Sequence, residues 1–254
     1  MKYFFAELKQ RNSLLFWFGC YNIIIALICT FLITADNTEI LGVSRWLKPI
    51  KFYVAVGIMV FTMGWLLYYL SNTKKVKQFT RLIIFTMFFE NGIILLQAIR
   101  KTTSHFNVKT VFDNVCFQLM GTFILIFTIT IIFITVAFFR QKKFSIPELY
   151  LWGIRLGLIF FILSSLEGGV MLALLKHTVG APDGTPGLPI INWSKNYGDL
   201  RIAHFFGIHA LQILPLLGFY VAKTKNQIAI IAVMYFIFVA ALLFQALKSI
   251  PLFF

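Results

Sequence analysis

The sequence predicts an all-α integral membrane protein, a bundle of seven transmembrane helices. Hydrophobic residues fill 59% of the 254 positions and charged residues only 13%, against about 25% charged in a soluble domain. Mean hydropathy is +0.85. Seven apolar runs are each long enough to cross a hydrocarbon core about 30 Å thick at about 1.5 Å per residue.

The first run, near 13–35, follows MKYFFAELKQR, which carries charge on both sides of an aromatic pair. With full spanning length behind it, this reads as a retained anchor and not a cleaved leader. The next runs lie near 49–70, 81–99, 116–139 and 149–176, and the last two near 201–221 and 227–247. Asp199, a residue type suited to capping a helix start, opens the sixth run, and Pro215 falls inside it. Short connections keep successive helices adjacent, so 1–254 reads as a single polytopic domain. Cys20, Cys29 and Cys116 lie in or beside these runs without CxxC spacing and read as small buried hydrophobes.

Orientation follows from the basic residues. Lys2, Lys9 and Arg11; Lys74, Lys75, Lys77 and Arg81; Arg140, Lys142 and Lys143; and Lys223 and Lys225 fall in one set of connections, beside only Glu7 and Glu148. The positive-inside rule places these in the cytoplasm, with the N-terminus in, the C-terminus out, and the chain in the plasma (inner) membrane. The net charge of +14 is then a membrane-boundary charge near lipid headgroups. Nucleic acid is excluded as a partner, since no basic run with interleaved aromatics lies outside the apolar segments.

The longest connection, from His177 to Asp199, holds three prolines and four glycines and is expected to be a turn-rich loop with neither helix nor sheet. Trp193 and Tyr197 suit the headgroup level, and the loop is expected to fold back over the bundle mouth. An internal repeat is also readable. Leu47-Lys48-x-x-Lys51-Phe52 opens the second span and Leu200-Arg201-x-x-His204-Phe205 the sixth, while Gln97-Ala98-Ile99-Arg100 ends the third and Gln245-Ala246-Leu247-Lys248 the seventh. This is a parallel three-plus-one-plus-three arrangement of the kind known in transporters.

Polar residues concentrate on the outer half. Glu90 lies ten positions before Arg100, Glu167 ten before His177, and His209 ten after Asp199, each about 15 Å below the outer boundary. Two carboxylates and an imidazole from three spans are expected to share one level, with Glu90, Glu167 and His209 as catalytic residues or metal ligands. A rim of Lys48, Lys51, Gln97, Arg100, Arg201, His204 and Gln212 would bind substrate. His105 is ranked as peripheral. Ionisable groups inside a membrane default to a functional site, because desolvation makes them costly elsewhere.

Three function classes stay open. The first is metal- or haem-dependent chemistry on a lipid or small anionic ligand, with a transition metal on Glu90, Glu167 and His209, or haem on His177 and His204. His204 and His209 are five apart, about 140° on a regular helix, unlike the i, i+4 pair of HExxH. The second is a proton-coupled transporter of a small anionic solute, opposed by the apolar inner halves of the spans. The third is a non-catalytic assembly or sensing subunit in which polar residues join helices.

Overall fold

The computed structural model describes residues 2–252; Met1, Phe253, Phe254 and the side chain of Lys2, one of the inner basic residues above, lie outside the described residues. A first helix, α1 (Lys2–Arg11), precedes α2 (Ser13–Ala35), α3 (Leu47–Leu66, prolonged by a 3-10 turn to Tyr69), α4 (Thr73–Ile99), α5 (Val111–Arg140), α6 (Glu148–Leu174), α7 (Leu200–Tyr220) and α8 (Lys225–Leu247). The seven from α2 onward are long and apolar enough to cross a membrane. The protein is a polytopic integral membrane protein.

The largest departure in a span boundary is the start of α4, at Thr73 instead of near 81. Its first two turns carry Lys74, Lys75 and Lys77 and so escape a hydropathy reading, yet Asn72 caps them by accepting from the Lys75 amide. Asn12, Asp199 and Thr224 cap α2, α7 and α8 in the same way. Inside the spans, the hydroxyls of Thr30, Thr62, Thr86, Thr128, Thr130 and Ser165 donate to the carbonyl one turn back, which satisfies them without water.

Two short ribbons punctuate the helices. β1 (Glu39–Ile40) pairs antiparallel with β2 (Val43–Ser44). Leu41 and Gly42, both at positive φ, form the two-residue turn between them. β3 (Thr178–Val179) pairs with β4 (Gly198–Asp199). The 177–199 connection is therefore not free of sheet, as its composition suggests. Its two ends zip together, and the tip is tied by a bridge between Gly187 and Ser194.

The chain divides into two compact units, Met1–Ile134 and Thr135–Phe254. In the first, α2 and α3 pack most extensively, then α3 with α4, and α2 with α4 least. Buried Asn91 on α4 donates to Asn22 on α2 at 2.8 Å, a polar link between two spans. α1 docks on the end of the α2–α3 pair with Leu8 fully buried and Phe4 stacked on Trp65 at 5.1 Å.

In the second unit, α6 and α7 pack most extensively, then α7 with α8, and α6 with α8 least. The α6–α7 backbones touch. A Cβ on Gly153 would collide with the Leu214 carbonyl oxygen and stand 2.7 Å from Pro215 Cα. Glycine there lets dispersion and backbone contact replace the hydrophobic drive that lipid cannot supply. α7 continues as regular α-helix through Gly207 and Pro215, with no π-bulge to bring His204 and His209 onto one face.

Candidate functional site

In the first unit, Glu90 on α4 is 2% exposed. Its Oε1 stands 4.0 Å from Nε2 of His105, in the connection between α4 and α5, while its buried Oε2 has no hydrogen-bond partner within the protein. His105 is held by Ser104, whose Oγ lies 3.0 Å from Nδ1, and by Phe52, with ring centroids 5.5 Å apart. Lys48, half-buried at the start of α3, presents its charge to Glu90. Lys51, one turn further, is also half-buried. His105, peripheral by sequence, is thus the histidine beside Glu90. The polar residues around it, Ser104 and Asn107, are buried despite lying in a connection; that pattern of small polar residues was the available signal.

Gln97 and Arg100, expected on a substrate rim, both meet Asp113. Gln97 Nε2 and Arg100 Nη1 both donate to Asp113 Oδ1, at 2.8 and 2.5 Å, tying the end of α4 to the start of α5. Thr110 accepts from the Asp113 amide and donates to Asp113 Oδ2 at 2.7 Å, a capping arrangement for α5. Nearby, Asp36 receives Thr38 N, Arg45 Nε and Trp46 Nε1, and Arg45 Nη1 reaches the Ile99 carbonyl at 3.0 Å. The Thr38 hydrogen bonds, with those of Arg45 and Trp46, hold the Asp36 carboxyl well below the usual carboxylate range.

In the second unit, Glu167 on α6 meets His204 on α7. His204 Nδ1 is 3.1 Å from Glu167 Oε2 and 2.8 Å from the Ser164 carbonyl. Glu167 Oε1 is buried without a hydrogen-bond partner within the protein. His209 turns elsewhere: its ring packs 4.3 Å from Phe205, and Nδ1 lies 3.3 Å from Gln212 Oε1. Arg155 on α6 donates to the Phe138 carbonyl through Nε and Nη2.

The loop end of this unit is held by two aspartates. Asp199 caps α7, accepts from Ser194 N at 2.8 Å, and takes Nε and Nη2 of Arg201 at 2.9 and 2.5 Å. Arg201 Nη2 also reaches the Asn192 carbonyl at 2.6 Å, and Trp193 packs edge-on against Phe205. The loop folds back onto its own helices, and Arg201 holds it there. His177 pairs through Nδ1 with Asp183 Oδ2 at 2.7 Å. Burial alone would raise the Asp183 carboxyl, but the hydrogen bond and charge of His177 and the Thr178 amide outweigh it and hold it well below the usual range.

A depressed carboxyl stabilises the fold at pH above its unfolded value, near 3.9, and that contribution drains away as pH falls further. The His177 and Thr178 amides, which donate to Asp183, are therefore expected to stay protected from hydrogen exchange down to about pH 4 and to lose protection below it. Equal protection at pH 3 and 6, after correction for intrinsic exchange, would contradict this.

Glu90, Glu167 and His209, expected to share one metal site, each stand beside a different side chain. Glu90 belongs to the first unit and is beside His105; Glu167 is paired with His204, and His209 with Gln212. Among the described residues, no three His, Cys, Asp or Glu side chains gather closely enough to hold a metal ion. The alternative haem ligands face separate partners, His177 on Asp183 and His204 on Glu167. Three carboxylates stand beside imidazoles: Glu167 with His204 and Asp183 with His177 within hydrogen-bond reach, able to carry one proton between two groups, and Glu90 with His105 at 4.0 Å. No protein-family model, curated protein or solved structure matches the chain.

Proposed function

We propose that the protein is a proton-coupled membrane transporter of a small anionic solute. The observation that carries this reading is the pair of span carboxylates, Glu90, buried, and Glu167, half-buried, each beside a histidine and each with one buried oxygen lacking a hydrogen-bond partner within the protein. A carboxylate and imidazole sharing one proton are neutral overall, and losing it leaves an uncompensated charge in low dielectric. Ionised, Glu90 is a counter-ion for Lys48; protonated, it leaves that charge to attract an anionic solute, so the anion and the proton load together. Lys48 supplies a cationic group for such a solute near the first pair, and Lys51 lies one turn further along α3. The matching order of helix packing in the two units supports the three-plus-one-plus-three repeat, an organisation suited to alternating access.

The test uses liposomes carrying the full chain and a trapped pH dye, challenged with a panel of small carboxylates and phosphates. At least one anion is expected to acidify the interior, and Glu90→Gln and Glu167→Gln are each expected to slow this by tenfold or more. His105→Ala should resemble Glu90→Gln. If the Gln variants acidify as fast as wild type, or no anion moves a proton, the reading falls.

A further inference from the structure

We propose that the basic end of the first unit, built by α1 and the start of α4, is a binding surface for anionic phospholipid headgroups. This does not rest on the transport reading. α1 lies where a span would be too short and a loop too apolar. Leu8 faces the protein, while Tyr3 is 93% exposed and Phe4 and Phe5 are over a third exposed. Such a helix suits the headgroup boundary, with its rings at the acyl edge and its charges in the phosphate layer.

The charges are placed for phosphate. The Arg11 guanidinium lies 3.8 Å from the Trp65 ring centroid and 4.7 and 5.1 Å from those of Tyr68 and Tyr69. Its Nε is bound to Glu7 at 2.8 Å, and its buried Nη1 has no hydrogen-bond partner. An aromatic cage around arginine fixes the planar fork that phosphate oxygens accept from. Lys9, exposed, stands 5.1 Å over the Trp17 ring.

α4 brings the second set of charges to this end. Asn12, the residue after Arg11, donates to Thr80 Oγ1 on α4 at 2.8 Å. Lys77 lies three residues before Thr80 on the same helix face, one turn nearer the end, and is exposed together with Lys74 and Lys75. Against these cations, among the described residues of α1 and the start of α4, stands only Glu7, already engaged by Arg11. Tyr68, over half exposed, is the side chain that would turn aside to admit a headgroup to Arg11. Complementary charge, a membrane-facing aromatic fringe and an unsatisfied guanidinium donor all point to a lipid anion.

The full chain in neutral detergent, titrated with phosphatidylglycerol or phosphatidylcholine and followed by native mass spectrometry, tests the assignment. Phosphatidylglycerol should be retained at least tenfold more tightly than phosphatidylcholine. The double variant Lys9→Gln/Lys77→Gln, both exposed positions, should lose about fivefold per lysine, and Arg11→Gln should lose tenfold or more with helical content unchanged. Lys142→Gln/Lys143→Gln, basic positions in the other unit, should match wild type. Equal retention of the two lipids overturns the proposal, as does a double variant that binds as wild type or an equal loss in the control pair. Displacement of the lipid by inorganic phosphate would assign the site to free phosphate and overturn the lipid reading.

Discussion

Gly153→Val is expected to destabilise the second unit by about 3 kcal/mol, the upper part of the usual range for overpacking. The new atoms meet backbone, the Leu214 carbonyl and Pro215 Cα, and neither can swing away as a side-chain tip can. Relief requires parting α6 from α7, the most extensive packing in the unit. Gly157 repeats the contact one turn on, where a Cβ would stand 3.0 Å from Leu211 Cα, so separation cannot stay local. Gly92 on α4 is the control, because a Cβ there meets nothing within 4 Å. Gly92→Ala should leave the apparent melting temperature unchanged or slightly higher. Circular dichroism melts of both variants in the same detergent decide the matter; similar melting for Gly153→Val and wild type would refute the close-contact argument.

Asp199→Ala should cost a similar amount, about 3 kcal/mol, for an electrostatic reason. The carboxylate is almost wholly buried and serves three donors at once: the Ser194 amide, the Arg201 amide and the Arg201 guanidinium. Removing one partner of a largely buried ion pair leaves the other charge uncompensated, which costs more than the pair contributes. Asp199→Asn keeps an acceptor for the α7 amide and should fall between wild type and alanine. Faster hydrogen exchange at Ser194 in the alanine variant, alongside the lower melting point, locates the damage at the loop clamp. A melt unchanged in Asp199→Ala would show that the clamp contributes nothing.

The spans were legible because lipid imposes one requirement, a long apolar run, and composition reports that directly. α1 was missed since ten residues mixing lysine, glutamate and phenylalanine satisfy no span criterion, although Phe4, Phe5 and Leu8 sit at the spacing of one helix face. Residue counting gave Glu90, Glu167 and His209 a common depth but said nothing about the direction each faces. His204 and not His209 turns toward Glu167, and His105 reaches Glu90 only because the α4–α5 connection packs inward. Counting placed Gln97 and Arg100 near the outer end of their span but could not name Asp113, their shared acceptor, which lies in a different span. A helix cap such as Asp199 is readable from neighbours in sequence; partners sixteen or thirty-seven residues apart, as in Gln97–Asp113 and His204–Glu167, are not.

The paired ends of the α6–α7 connection also govern what its tip can tolerate. Thr178 with Asp199, and Gly187 with Ser194, close the excursion at two levels, so residues 189–191 form a knuckle just before Asn192, whose carbonyl Arg201 holds. Ile190 is 73% exposed there. Such a knuckle is a natural splice point: an epitope or fluorophore-binding peptide inserted at Ile190 would report which side of the bilayer this face occupies while the spans keep their register.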